Sequence, residues 1–358
     1  MNKPTFIIAE AGVNHNGSLE LALKLIDVAA DAGADAVKFQ TFKSDQVVTA
    51  KAAKAEYQVV NTQDGGNQLD MIRKLELSQA DHLLLVEHCK QRNIRFMSTA
   101  FDPQSLAFLA GLGMPCIKIP SGDITCGPLV LQAARLRMPL IVSSGMSTLA
   151  DIENALGVIA FGLTSAREPD SQKDFDSAYA SVEGQKALRQ HVTLLHCVTQ
   201  YPAPAHSVNL RAMDTMRTAF DLPVGYSDHT LGIEVALAAV ALGATVIEKH
   251  FTLDRSLPGP DHVASLEPAD LKRLVAGIRT VEAALGSSIK RPAAEEVANR
   301  SVARRSLVAA RPIRRGELFT VQSLAFKRPS DGISPMSFWD LLGTPSHHDV
   351  GIDDLIEP

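Results

Sequence analysis

Short runs of apolar residues, many of them β-branched, alternate with longer alanine- and leucine-rich stretches from Thr5 to about Leu285. The short runs have the length of buried strands, and the longer ones space their apolar residues by three and four, as helices do. Eight strands separated by helices predict a (β/α)8 TIM barrel. A doubly wound open sheet is the competing fold, but no Gly-x-Gly-x-x-Gly motif follows the first strand. We expect strands at residues 6–9, 36–39, 95–97, 116–119, 140–142, 192–195, 224–226 and 246–247.

The alternation of short apolar runs with long alanine- and leucine-rich stretches ends at about Leu285. We therefore expect a catalytic barrel over residues 1–285, a linker over 286–300 and a small C-terminal domain over 301–358, built from short strands and turns. So short a domain buries only a marginal core, and we expect it to dock on a barrel. Within the barrel, the long polar loop 43–70 is typical of a lid or binding segment, and residues 163–186 are typical of a surface insertion.

Charge and cysteine usage narrow the class of protein. A formal net charge of −5 and a pI near 6.1 argue against nucleic acid as the main partner. No apolar run approaches the roughly 20 residues that span a bilayer, and no signal peptide is evident, so we expect no membrane partner. The four cysteines lack CxxC spacing, which predicts reduced thiols and a cytoplasmic protein.

Two histidines end the last two predicted strands, in the segments Ser227-Asp228-His229 and Glu248-Lys249-His250. A strand–helix–strand unit places neighbouring strand ends side by side at one rim of the barrel. Two imidazoles with acidic residues beside them there predict a divalent metal site. The turn Gly259-Pro260-Asp261 brings another carboxylate to the same rim.

The other predicted strands also end in polar residues, which a barrel places at its active site. Lys38 and Lys118 interrupt apolar strands, and an ammonium group buried without an anionic partner is costly. With the hydroxyl groups nearby they predict a phosphate or carboxylate site. Internal salt bridges to Glu10, Asp123 or Glu248 are the alternative, and a Schiff base on either lysine is another. Further polar candidates are Asn14, Gln40, Ser98, Thr99, Ser121, Ser143, Ser144, His196, Thr199 and Tyr201.

Nearly the whole chain resembles the sialic acid synthases, with matching motifs in the same order. The matching segments are residues 9–17 (AEAGVNHNG), 37–42 (VKFQTF), 96–102 (FMSTAFD), 118–123 (KIPSGD), 144–146 (SGM), 196–202, 227–230 (SDHT) and 248–252 (EKHFT). The tail from Ser306 to about Gly343 resembles the antifreeze-like (SAF) domain of these enzymes, particularly at Lys327-Arg328-Pro329 and residues 332–336 (GISPM).

The resemblance implies condensation of phosphoenolpyruvate with N-acetylmannosamine to give N-acetylneuraminate and phosphate by C–O cleavage, supported by Mn²⁺ or Mg²⁺. It implies that His229 and His250 hold the metal. Glu10 and Asp123 are the candidates to stabilise a cation at C2 of phosphoenolpyruvate or to take a proton from water. The residues implied to hold phosphoenolpyruvate are Lys38, Thr99, Lys118, Ser121, Thr199 and Ser227. Those implied to face the sugar or the metal-bound water are Glu10, Gln40, Tyr201 and Asp261.

Two positions depart from the family pattern. Asp123 stands where members commonly have glutamate, which draws its carboxylate back and puts its role as a base in doubt. Thr199 stands where some members have asparagine. Arg328 fits the family arginine that reaches the sugar from the partner subunit, so the resemblance also implies a homodimer.

Two rival functions remain open. A sister synthase that makes N,N'-diacetyllegionaminate from a 2,4-diacetamido-trideoxy sugar would share the phosphoenolpyruvate and metal residues and differ only in its sugar pocket. A binding protein that kept the barrel and lost catalysis is the other, and only Asp123 favours it.

Overall fold

The structure, a computed structural model, describes residues 3–55, 58–59, 62 and 66–357. It confirms the predicted barrel. Eight parallel strands close into one sheet because the first pairs with the last, with Phe6 opposite Val246 and Glu10 opposite His250. The strands are β1 (Phe6–Gly12), β2 (Ala36–Thr41), β3 (Arg95–Ala100), β4 (Ile117–Ile119), β5 (Leu140–Ser143), β6 (Val192–Cys197), β7 (Val224–Asp228) and β8 (Val246–His250).

Helices pack around the outside of the sheet, and their sequences explain where they begin. The first begins after Ser18, whose side chain accepts the N–H of Leu21, and buries Leu25 and Ile26. The last begins with Pro268, a favoured residue at the first helical position. The helices that follow strands are Leu19–Asp31, Gln79–Gln91, Pro103–Ala110, Gly127–Arg135, Leu149–Thr164, Ala212–Phe220, Glu234–Ala241 and Pro268–Leu285.

The two predicted irregular segments both contain helices. The loop after β2 holds the short helices Ser44–Val47 and Gln68–Arg73. The segment interpreted as a surface insertion holds Gln172–Ala180 and Val182–His191. The first of these buries none of its residues, although the Phe175 ring contacts Phe161 edge-on at 5.5 Å. The helix Gln172–Ala180 therefore packs on the outer face of the barrel.

The barrel interior changes from apolar to polar within two residues along every strand. A lower layer is formed by Ile8, Ala36, Met97, Cys116, Ile141, Leu195 and Val246. On β7 the corresponding residue is Gly225, where a Cβ would lie 2.4 Å from the carbonyl oxygen of Val246. Two residues further on, the inward side chains are Glu10, Lys38, Thr99, Lys118, Ser143, Cys197, Ser227 and Glu248, which line a cavity. Strand alternation therefore builds the polar layer directly on an apolar floor.

Residues 287–358 form a second compact unit. An antiparallel pair of strands, β9 (Ser306–Ala309) and β10 (Leu324–Lys327), covers a small core that includes Leu307 and Phe319. Elsewhere in this unit, Leu318 forms an isolated antiparallel bridge with Pro345. The second half of the expected linker lies in the helix Ala294–Ala303.

Within the part of the chain that the structure describes, none of the helices combines the length and the apolarity that crossing a bilayer requires.

Candidate active site

A cavity of about 260 Å³ opens at the carboxyl ends of the barrel strands. Most of the site residues predicted from the sequence, which come from separate strands, line this cavity. Asp123 is absent from its lining, and Arg328 belongs to the second unit. The candidate residues that line the cavity are Glu10, Lys38, Gln40, Thr99, Lys118, Ser121, Ser143, Thr199, Tyr201, Ser227, His229, His250 and Asp261.

Two lysines and two glutamates form a buried charge network at the base of the cavity. The Lys38 ammonium lies 2.7 Å from the Glu10 carboxylate and 3.5 Å from Glu248. The Lys118 ammonium lies 3.6 Å from Glu248, which also accepts a hydrogen bond of 3.0 Å from Ser227. The internal ion pairs that the sequence left as an alternative are therefore present, and they lie on the wall of the cavity.

The two carboxylates of the network differ in proton affinity. Burial raises the pKa of Glu10 to about 7, although Lys38 opposes this. Burial alone would also raise the pKa of Glu248, but the ammonium groups of Lys118 and Lys38 lower it to about 2. Glu248 is thus a permanent anion, while Glu10 can exchange a proton near neutral pH.

The two lysines also differ. Burial would lower the pKa of Lys38, but the carboxylates of Glu10 and Glu248 outweigh it and raise the pKa. Lys38 also donates a hydrogen bond of 2.9 Å to Thr99. Burial lowers the pKa of Lys118, against the attraction of Glu248. Of the two lysines, Lys38 therefore keeps its proton more strongly.

The predicted histidine pair lies together on the wall formed by β7 and β8. The ring centroids of His229 and His250 are 5.4 Å apart. Nδ1 of His229 is 2.7 Å from the carbonyl oxygen of Val198, to which it donates, so that Nε2 remains available as a ligand. Nδ1 of His250 is buried with no hydrogen-bond partner among the described residues.

These two imidazoles fit a metal ion that takes its other ligands from water and substrate. Burial lowers the pKa of His250 well below its ordinary value, which keeps that ring neutral, as a ligand must be. Asp261 adds a carboxylate oxygen 4.0 Å from Nδ1 of His250. Among the described residues, no group of three or more His, Cys, Asp or Glu side chains is arranged to hold a metal. The protein would therefore supply only part of the coordination.

Tyr201 and Asp261 surround the histidine pair. The Tyr201 ring packs over His229 with centroids 4.1 Å apart and meets His250 edge-on at 5.6 Å. Burial raises the pKa of Asp261 to about 6, against the attraction of His229. Both residues can position a polar ligand beside the two imidazoles.

The acid next to His229 in sequence does not belong to the cavity. Asp228 accepts hydrogen bonds of 2.7 Å from Lys249 and 3.1 Å from the Tyr226 hydroxyl. Asp228, Lys249 and Tyr226 are buried, and none of them lines the cavity. Successive side chains of a strand point to opposite faces, so Asp228 and Lys249 buttress the strand ends from outside. Of the two acids expected beside the histidines, only Glu248 is in the site.

Asp123 is not among the residues that line the cavity. The chain leaves β4 in a turn in which the N–H of Asp123 donates to the Pro120 carbonyl at 3.1 Å. Its carboxylate instead borders a separate small void that Lys118 shares. Burial raises its pKa to about 6, opposed by Lys118.

Hydroxyl groups face the cavity on the side of β5 and β6. Oγ of Ser143 and Oγ1 of Thr199 are buried with no hydrogen-bond partner among the described residues. Ser121 accepts the N–H of Gly145 at 2.9 Å. Gly145 allows this close approach, since a Cβ there would lie 2.1 Å from Oγ1 of Thr199. Unpaired buried hydroxyls indicate a place where a polar ligand completes the hydrogen bonding.

The sequence did not identify one side of the cavity, which we call the apolar wall. Its members come from the loops after β1, β2 and β3 and from the segment around helix Gln68–Arg73. A signal was available, because three of them are apolar residues clustered at the end of a long polar loop. They are Val13, Phe42, Met71, Ile72, Leu75 and Phe101.

From the sequence, Glu248 was named as an acid beside the histidine pair and as a partner for an internal ion pair, but not as a residue of the substrate cavity. Its position two residues after the floor residue Val246 places it in the inward-facing set, and this signal could have identified it.

The sequence model of the NeuB family matches residues 25–290, and that of the SAF domain matches residues 304–358. An N,N'-diacetyllegionaminic acid synthase from Campylobacter jejuni is 48% identical over 99% of both chains. One of the same name from Legionella pneumophila is 46% identical over 95% of this chain and 89% of its own.

A solved structure extends the likeness to the fold. The N-acetylneuraminic acid synthetase of Leptospira borgpetersenii serovar Hardjo-bovis, in complex with citrate, has a TM-score of 0.66 and 35% identity. The match covers 83% of this chain and 90% of that one. The similarity therefore extends over most of the chain.

Proposed function

The chain belongs to the NeuB family, and we propose that it condenses phosphoenolpyruvate with an open-chain acetamido sugar to give a nine-carbon 2-keto acid and phosphate. The observation that carries the proposal is the buried lysine pair beside the paired imidazoles of His229 and His250 in one cavity. Lys38 is a poor candidate for a Schiff base, because the carboxylates of Glu10 and Glu248 raise its pKa and keep it protonated.

Two sugars were weighed from the sequence, and the relatives favour the second. The two synthases named for N,N'-diacetyllegionaminic acid share 48% and 46% identity with this chain. The N-acetylneuraminic acid synthetase shares 35%. We therefore propose 2,4-diacetamido-2,4,6-trideoxymannose as the sugar in place of N-acetylmannosamine, with N,N'-diacetyllegionaminate as the product.

The charges of the cavity suit phosphoenolpyruvate. Lys38 and Lys118 contribute two cations, Glu248 neutralises one of them, and Glu10 is partly protonated near neutral pH. The base of the cavity is thus positive when Glu10 holds its proton, and it attracts the phosphate and carboxylate of phosphoenolpyruvate. The hydroxyls of Ser143 and Thr199 provide hydrogen bonds to the same anion.

In the reaction, C3 of phosphoenolpyruvate forms a bond to the aldehyde carbon of the sugar, and the aldehyde oxygen gains a proton. C2 is left as an oxocarbenium ion. Water adds to C2 and loses a proton, and the C2–O bond to phosphate then breaks to leave the ketone. Lys38 and Lys118 stabilise the phosphate that departs. A divalent cation held by His229 and His250 would act as a Lewis acid on the aldehyde oxygen.

Glu10 is the residue placed to receive the proton from water. Its pKa of about 7 is close to the value that general acid–base catalysis favours at neutral pH. Gln40 donates a hydrogen bond of 3.4 Å to Glu10, which orients the carboxylate. Glu248 has too low a pKa for this role, at about 2, and serves as the counter-charge between the lysines.

Phosphate release from phosphoenolpyruvate, measured with Mn²⁺ and a panel of acetamido sugars, tests the proposal. We expect sugar-dependent release, with the highest kcat/KM for the diacetamido-trideoxy sugar. Phosphoenolpyruvate carrying ¹⁸O in its bridging oxygen should yield labelled phosphate, because the C–O bond breaks. Absence of release with every sugar contradicts the enzyme function, and retention of the label in the keto acid contradicts C–O cleavage.

A further inference from the structure

The apolar wall is a continuous surface rather than a set of isolated contacts. Val13, Phe42 and Leu75 are 5%, 7% and 7% exposed and pack against one another, with Ile72 and Phe101 beside them. The Phe42 and Phe101 rings meet edge-on with centroids 6.2 Å apart. The active-site cavity therefore has one side on which a ligand meets mainly carbon.

Backbone geometry holds this surface in place. The segment that carries Leu75 lies against the loop after β1, where Gly17 has a φ of +76°. A Cβ at Gly17 would lie 2.3 Å from the carbonyl oxygen of Lys74. Only glycine permits this contact, so the approach of Leu75 to Val13 is built into the fold.

The apolar wall lies further along the strands than the charge network. Phe42 follows Lys38 by four residues, Val13 follows Glu10 by three, and Phe101 follows Thr99 by two. In the proposed function, phosphoenolpyruvate held at Lys38 directs its C3 toward the outer part of the cavity. A sugar whose aldehyde carbon meets that C3 extends outward, and its far end then reaches the height of the apolar wall.

We propose that the apolar wall receives the C6 methyl group of a 6-deoxy amino sugar and thereby selects against a sugar with a C6 hydroxyl. This rests on the proposed function and names the surface that sets its substrate class. A C6 hydroxyl turned toward this surface loses its hydrogen bonds to water without gaining one from the protein, which is unfavourable. Because an apolar pocket rejects an added hydroxyl by roughly 100-fold at most, we expect a preference on the order of 10- to 100-fold.

One polar side chain lies in the same region of the chain. Gln58 also lines the cavity, and its Oε1 accepts the N–H of Ala55 at 3.0 Å. If the sugar turned its C6 hydroxyl to Gln58 instead, the hydroxyl would find a partner and the preference would vanish. The two arrangements therefore give opposite results with a matched pair of sugars.

The test compares N-acetylmannosamine with 2-acetamido-2,6-dideoxymannose, which differ only in the C6 hydroxyl. We expect kcat/KM to be 10- to 100-fold higher for the 6-deoxy sugar in the unmodified enzyme. Equal use of both sugars, with normal phosphate release, overturns the inference and leaves the proposed function standing. Release with neither sugar nor with the diacetamido-trideoxy sugar contradicts the proposed function itself.

Two near-isosteric variants, Val13→Thr and Leu75→Asn, assign the preference to the apolar wall. Each adds a hydrogen-bonding group there, and we expect each to reduce the ratio of the two kcat/KM values by at least about fivefold. The ratio is measured within one protein, so partial misfolding cancels. Val182→Thr is the control, since Val182 is 78% exposed on a distant helix, and it should leave the ratio unchanged. An unchanged ratio in both wall variants overturns the assignment.

Discussion

The Glu10 carboxylate lies 2.7 Å from the Lys38 ammonium, and both side chains are buried at the carboxyl end of the barrel. The Glu10 carboxyl group titrates near neutral pH, whereas the Lys38 ammonium group beside it stays charged. Burial raises the pKa of Glu10 to about 7 because it penalises the carboxylate more than Lys38 stabilises it. The proposed base therefore operates next to the cation that holds the substrate.

Replacing Glu10 should remove general-base catalysis. We expect Glu10→Gln to lower kcat roughly 100- to 10,000-fold. In the unmodified enzyme, kcat should fall as the pH drops through the pKa of Glu10, because only the ionised carboxylate can accept a proton. Steady-state rates between about pH 5.5 and 8.5 measure both. Glu20→Gln, at a side chain 78% exposed, is the matched control. A pH-independent rate, or a Glu10→Gln variant as fast as the control, contradicts the role.

Asp123 should matter far less than Glu10. It borders a separate void and does not line the cavity. We expect Asp123→Asn to reduce kcat by less than the roughly 100-fold minimum typical of a positioned acid or base. Parallel kcat measurements of the two variants decide this. A loss as large as that of Glu10→Gln would show that the Asp123 carboxylate reaches the substrate.

The histidine pair should determine metal affinity independently of turnover. We expect His229→Ala and His250→Ala each to weaken Mn²⁺ binding by more than the roughly 10- to 100-fold that loss of an outer partner costs. Titration followed by the electron paramagnetic resonance of free Mn²⁺ gives the affinity without an activity assay. His206→Ala, on an exposed turn, should bind as the unmodified protein does. Unchanged affinity in both variants rules out the proposed site.

Arg328 is proposed to act on the active site of the partner subunit in a homodimer. Arg328→Ala and His229→Ala should each abolish activity alone, because they remove parts of the same composite site. Mixed dimers keep one intact site in each hybrid, so co-refolding equal amounts should restore roughly a quarter of normal activity. If no activity returns although both variants fold and dimerise, the arrangement across subunits is wrong.

The barrel was predictable because the alternation of residues expected for strands agrees with the observed burial along most of the chain. The inward residues of β8 illustrate this, since Val246, Glu248 and His250 alternate from the apolar floor to the cavity. The same rule places Lys38, Thr99 and Ser227 without further information. For the lysines, it could not decide between ion pairing and ligand binding, because both uses require the same positions.

Periodicity fails where a strand ends. Asp123 comes four residues after β4, in a turn whose hydrogen bonds set its direction, and a sequence pattern does not specify that turn. Asp228 was assigned to the site by its proximity to His229 in the chain, although adjacent strand residues face opposite ways. The apolar wall was missed because its members come from separate loops and meet only in the fold.

A competition for limiting phosphoenolpyruvate tests the central claim most directly. Equal concentrations of 2,4-diacetamido-2,4,6-trideoxymannose and N-acetylmannosamine are offered together, and the two nine-carbon acids are quantified by mass spectrometry. The ratio of products equals the ratio of the two kcat/KM values. We predict an excess of N,N'-diacetyllegionaminate on the order of tenfold or more. A mixture dominated by N-acetylneuraminate, or the formation of neither acid, would contradict it.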